Sequence, residues 1–275
     1  MSVESPDGVV RSHESSRILP FHKEFVAHFT GRWPEGYQLR WKRKPWWHLL
    51  MMLISLSGGV AASSLIILGS PVFWPFLILS WMLTVHGARK GQVVINHHAV
   101  HTNVTGHKLY DQLLAEMVST VLVIQDYLGY FWDHVRVHHG PKLATPEDPD
   151  LRFLLVLGFR PGMSREALWR RLYWTVVSPR FHYLFLVARF KANYVTAPVY
   201  RRIMSGCYAV AVVVGLIFTG AWLPWLIAWV FPVFFLYHIA ALLQFICEHR
   251  WLMVQESTRI PEERKMHNDY GKIEF

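Results

Sequence analysis

Histidine is the residue type whose number and spacing in this chain could do chemistry. The 275 residues include 16 histidines, and seven of them (His97, His98, His101, His107, His134, His138 and His139) fall between positions 97 and 139. His97-His98-Ala-Val-His101 puts His97 and His101 at i, i+4, on one face of a helix. His134-Val-Arg-Val-His138-His139 repeats that spacing and adds an imidazole about 100° further round the helix. Neutral imidazoles are ligands for Fe, Zn, Cu or Ni, and several around a pair of ions suit a redox site. A structural zinc site usually closes with four ligands including Cys. The two cysteines here, Cys207 and Cys247, are remote from the cluster in sequence. The plainer alternative is a set of interfacial histidines at lipid-headgroup depth, and it fits the isolated His13, His22, His28, His48 and His182 best. His98 and His107 read as supporting or surface residues, and His86 is undecided.

The elements that must carry these histidines are set by charge. The chain has 28 Lys+Arg and 19 Asp+Glu, a net +9, with 52% apolar residues. All of the charge lies in residues 1–45, 89–202 and 248–275. Trp46–Ala88 and Ile203–Cys247 contain no Asp, Glu, Lys or Arg, and each is long enough for two spans of about 20 residues. The expected spans are 47–68 and 72–86 around a Gly69-Ser70-Pro71 turn, then about 203–218 and 225–246 around Gly220–Pro224. The expected fold is therefore all-α and integral to a membrane. It has four transmembrane helices in two hairpins and a cytosolic helical cap that carries the histidines. Residues 106–130 read as an amphipathic helix of that cap, and the Arg- and aromatic-rich 151–202 read as interfacial helices.

The uncharged turns and the basic segments opposite them place both termini and residues 89–202 in the cytoplasm by the positive-inside rule. The membrane would be a cell inner membrane, or the endoplasmic reticulum in a eukaryote. The same rule accounts for the basic balance, and no nucleic-acid-binding signature is present. Residues 1–45 form a cytosolic N-terminal segment without the apolar core of a signal peptide, 46–255 the membrane domain, and 256–275 a polar tail.

A hairpin, HxxxH, HxxxHH, a second hairpin and a further histidine together resemble the membrane fatty acid desaturase family, over about residues 45–255. His97–His101 is similar to that family's first histidine box and His134–His139 to its second. Thr145–Asp150 resembles the acidic stretch that often follows the second box. His249, after Glu248, matches the family's single histidine at the end of the last span. The resemblance implies two non-haem iron ions held by His97, His101, His134, His138, His139 and His249. It also implies a fatty acyl substrate on a lipid or thioester, O2, and electrons from a small carrier such as a ferredoxin or cytochrome. Oxidising an unactivated C–H bond needs such a metal, because there is no acidic proton for a general base to remove. Asp133, Glu116, Asp148, Asp150 and Glu248 are candidates to orient the ligand imidazoles.

Two departures stand out. Relatives carry a third box, HxxHH, some tens of residues beyond the position of His249, whereas here only His267 follows within the remaining 26 residues. His98 also stands where the first box often has an acid. His238 and His267 are substitute ligands by type but not by spacing. The leading reading is an oxygen-dependent desaturase, or a hydroxylase or decarboxylase relative. The alternative is a catalytically inactive desaturase-like protein that binds lipid, metal or a partner. A metal transporter is disfavoured, because the spans offer no polar pathway.

Overall fold

The computed structural model describes residues 17–18, 23, 37–38, 44–140, 142–143 and 145–248. Two compact units divide after Lys44. In the first, β1 (Arg17–Ile18) pairs in parallel with β2 (Tyr37–Gln38), Arg17 opposite Tyr37. This short bridge lies outside the all-helical expectation. The second unit is helical throughout its described elements.

Four of its helices are long and apolar enough to cross a membrane: α1 (Pro45–Leu68), α2 (Pro71–Val100), α8 (Val199–Thr219) and α9 (Trp222–Cys247). Within α1 the Ser57 and Ser64 hydroxyls donate to the carbonyls of Leu53 and Val60, at 2.6 and 2.8 Å, so these two hydroxyls are not left to the lipid. Small residues bring α1 and α2 together. A Cβ at Gly59 would collide with Thr84 and one at Gly87 with Leu56, and the Ser63 and Ser80 hydroxyls pair at 2.7 Å between the helices.

The second span is longer than expected. Instead of stopping near His86 it continues past Arg89 and Lys90 through a π-helical turn, Gly91–Asn96, into His97–Val100. The charge of Arg89 does not end the helix because the guanidinium has partners. It donates to Gln92 at 2.5 Å and to Gln244, and lies 4.9 Å from the centre of the Tyr237 ring. His86 is held by Ser55 of α1 at 3.0 Å, a contact between spans.

Helix α9 follows Gly220, whose φ of 66° makes the left-handed turn that ends α8. It packs on the first pair of spans. Trp81 Nε1 donates to the Ile227 carbonyl at 2.8 Å, and Met52, Ala88, Ile95, Val233, Tyr237 and Ala241 share one core with Val118 and Leu122. Two π-helical stretches, Leu226–Val230 and Pro232–Leu236, widen α9 around Pro232, which has no N–H to give the ladder. The lipid-facing side is recognisable in Phe218 and Leu65, which are 85% and 72% exposed.

Between the spans lie α3 (Lys108–Leu122), α4 (Tyr127–Tyr130) running into a π-helical stretch Phe131–His138, α5 (Pro149–Val156), α6 (Arg165–Val176) and α7 (Pro179–Phe190). Three of their starts are capped by side chains. Asp126 accepts from the Gly129 N–H, Asp148 from Asp150 and Ser164 from Ala167. The base of α8 is tied to α3 by the buried pair Arg201–Glu116 at 2.8 Å. Arg201 also donates to Asn193, Ser119 and the Ile124 carbonyl, and Tyr200 donates to Glu116 at 2.8 Å.

Candidate metal centre

The end of α2 and the π-helical stretch after α4 bring His97, His101, His134 and His139 together. One ligand nitrogen from each lies within 4.8 Å of the other three. Ring centres are 4.4 Å apart for His97–His134 and His134–His139, and 5.2 Å for His97–His101. Ala99, Val100, Ala115 and Tyr127 form an apolar cluster against which Tyr130 packs, and the Tyr130 ring stacks on His134 at 4.9 Å.

Which member of the second histidine motif joins the cluster depends on helix geometry. An α-helix would put His134 and His138 on one face. The observed π-type winding closes a bond from the His139 N–H to the His134 carbonyl at 2.7 Å, and the His134 ring keeps contact with both His138, at 5.3 Å, and His139, at 4.4 Å. His134 and His139 thus enter the cluster together, with their Nε2 atoms 2.9 Å apart. His138 turns instead to carboxylates. Its Nδ1 is 3.0 Å from both oxygens of buried Asp148 and 3.6 Å from Asp150. That contact fixes the proton on Nδ1 and leaves Nε2 as the lone-pair nitrogen, the usual arrangement behind a metal-binding histidine.

The electrostatics keep these imidazoles neutral. Burial depresses the pKa of His134, His101 and His139, in the last case to about 4. For His134 and His139 the neighbouring imidazoles add to the effect, while Asp148 partly opposes it at His139. Neutral imidazoles repel no cation and need no deprotonation before binding one. Two observations fit a metal. Two imidazole nitrogens at adjacent positions on one ion, each bonded at about 2.0–2.1 Å, lie about 3 Å apart, as the Nε2 atoms of His134 and His139 do. His101 Nε2 is buried with no hydrogen-bond partner, a cost that a bound cation would remove.

The other histidines divide clearly. His98 is buried beside His97, with ring centres 5.4 Å apart, but lies outside the group of four. His107 is exposed against Tyr110. His238 accepts from Arg189 at 3.1 Å and stacks on Phe185, away from the four. His249 and His267 lie outside the described residues. Of the acids considered as orienting groups, Asp148 and Asp150 meet His138, beside the group of four. Glu116 serves Arg201 instead, and Asp133 accepts from Gln125 at 2.6 Å. Two neighbours were not singled out from sequence: Tyr130, and Asn96, whose buried Oδ1 has no hydrogen-bond partner. Asn96 directly precedes His97 in an apolar run, which is the one signal that could have flagged it.

Residues 69–271 match the family model described as Fatty acid desaturase, about three quarters of the chain. The chain belongs to the fatty acid desaturase family. Both histidine groups and all of α3–α9 lie inside the matched region. No curated protein and no solved structure matches the chain. Family and helices together make this a membrane protein of desaturase type, with a histidine cluster able to hold metal.

Proposed function

We propose that the chain is an oxygen-dependent oxidoreductase acting on a fatty acyl chain, a desaturase or a hydroxylase or decarboxylase relative, with iron at the histidine cluster. The observation that carries the reading is the convergence of four neutral ring nitrogens within 4.8 Å. His97, His101, His134 and His139 would hold one ion, and His138 and His249 would contribute to a second. The iron pair, when bound, supplies the oxidising power needed to take hydrogen from an unactivated C–H bond with O2. The chain's own residues set that chemistry up. Asp148 holds the proton on His138 Nδ1, and Tyr130 fixes the plane of His134. The acyl substrate would enter from the bilayer. An acidic electron carrier would dock on the basic residues of 89–202, with these and both termini in the cytoplasm.

Lipid analysis of cells expressing the protein tests this. A new double bond, hydroxyl or terminal alkene is expected, and it should be absent with His134→Ala. An unchanged acyl profile in cells that make iron-loaded protein would favour the inactive, ligand-binding relative.

A further inference from the structure

A second feature of the cap has no part in the histidine centre. Helices α5, α6 and α7 surround a cavity of about 330 Å³ lined by Arg171, Arg180, Thr175, Ser178, Trp174 and Phe181. That volume falls in the range of small-molecule sites, about 300–1,000 Å³. No acidic side chain lines it. Neither guanidinium has a hydrogen bond or ion pair with any described residue. Both side chains are solvent-exposed, so water screens their mutual repulsion, and an anion between them would pair with both charges. Arginine forks match the oxygens of a phosphate in particular. Residues 151–202 reinforce the field, with ten Lys and Arg against the single acid Glu166.

The cavity also has an apolar side, formed by Trp174 and the buried Phe181. The position of Arg171 depends on Gly158. That residue has φ of +84°, and a Cβ there would stand 3.0 Å from the Arg171 guanidinium carbon, so glycine lets the side chain lie against the backbone. The hydroxyls of Thr175 and Ser178 add donors beside the two charges.

We infer that this cavity binds the phosphate head of an amphiphile, with the phosphate between Arg171 and Arg180 and the start of the apolar portion against Trp174 and Phe181. A membrane phospholipid and a soluble phosphate-bearing acyl thioester share that chemistry. Helix α5 links the site to the histidines. Its N-cap is Asp148, the partner of His138, and its eight residues, about 12 Å long, lead to the cavity wall at Val156. The inference concerns binding alone and stands whether or not the histidine centre oxidises an acyl chain.

The test uses the full chain purified in dodecyl maltoside and titrated with dodecyl phosphate, with occupancy read by native mass spectrometry. One saturable phosphate amphiphile per chain is expected. Binding should weaken about tenfold or more in an Arg171→Gln/Arg180→Gln double variant, because charge-assisted bonds are lost. It should be unchanged in Arg170→Gln, which removes a neighbouring exposed charge outside the cavity. Equal weakening in both variants would mean diffuse surface attraction and would overturn the site, as would no saturable binding. Parallel titrations with phosphatidylglycerol in nanodiscs and with palmitoyl-coenzyme A identify the source. Binding of either that depends on Arg171 and Arg180 supports the assignment. If neither depends on them, the assignment fails.

Discussion

Two buried polar clusters sit within the same helical cap, and they are satisfied in opposite ways. Around Arg201 every strong donor has an acceptor. Glu116, Asn193, Ser119 and the Ile124 carbonyl take its protons, and Tyr200 completes Glu116. Around His134 the polar atoms face one another instead. Two Nε2 atoms lie 2.9 Å apart and His101 Nε2 has no partner. The first cluster is finished by the protein and holds α8 to α3. The second gathers ring nitrogens without matching donors, the arrangement expected of a metal-binding site rather than of a structural network.

The comparison can be broken most sharply at the histidines. His134→Ala should abolish product formation, with a loss of more than about a hundredfold, because the residue touches three of the cluster's rings. The metal-free form of that variant should keep most of its thermal stability, as scanning fluorimetry in detergent would report. Arg201→Met should do the reverse. It leaves Glu116 buried without its partner and should cost about 3–5 kcal/mol of stability, while the fraction that folds retains its metal. If both variants lose stability equally and both keep metal, the distinction between the clusters is wrong.

Asp148→Asn sharpens the boundary between them, because Asp148 touches His138 without belonging to the group of four. It should weaken metal binding or turnover by about 10–100-fold, with Asp148→Glu recovering part of it. Metal titration of the purified variants reads the effect.

The smallest effect is on pH dependence. His101, His134 and His139 have folded pKa values below the ordinary histidine value, that of His139 at about 4. The unfolded chain therefore takes up protons first as pH falls below about 6.5. The stability contributed by the neutral imidazoles is complete above that value and is lost progressively toward pH 4. Metal-free protein should show a falling unfolding midpoint across this window, and His139→Gln should flatten it. A midpoint independent of pH between 6.5 and 4 would contradict the buried, neutral state.

The spans were legible because absence of charge is a local property of sequence. The expected turns at Gly69 and Gly220 and the boundaries at Leu68 and Thr219 agree with the helices to within about two residues. The end of the second span was not legible, because two of the groups that hold the Arg89 guanidinium, Gln244 and Tyr237, lie about 150 positions away. The histidine motifs were visible, and so was the pairing of His97 with His101. In the second motif His138 and His139 were both expected beside His134. The π-type stretch that carries them brings a ring nitrogen of His139 into the group of four and sets His138 against Asp148. Winding of this kind is set by tertiary packing and leaves no mark in residue spacing. The expectation that Glu116 would orient a histidine failed for a similar reason, since nothing near it in sequence announces Arg201.

The central claim is that the four-histidine cluster holds iron, and metal content tests it directly. Protein purified in detergent from iron-supplied cells is expected to carry about two irons per chain. His134→Ala, prepared in the same way, should carry well under one. Wild-type protein with little iron, or a His134→Ala variant with the full complement, would contradict the account.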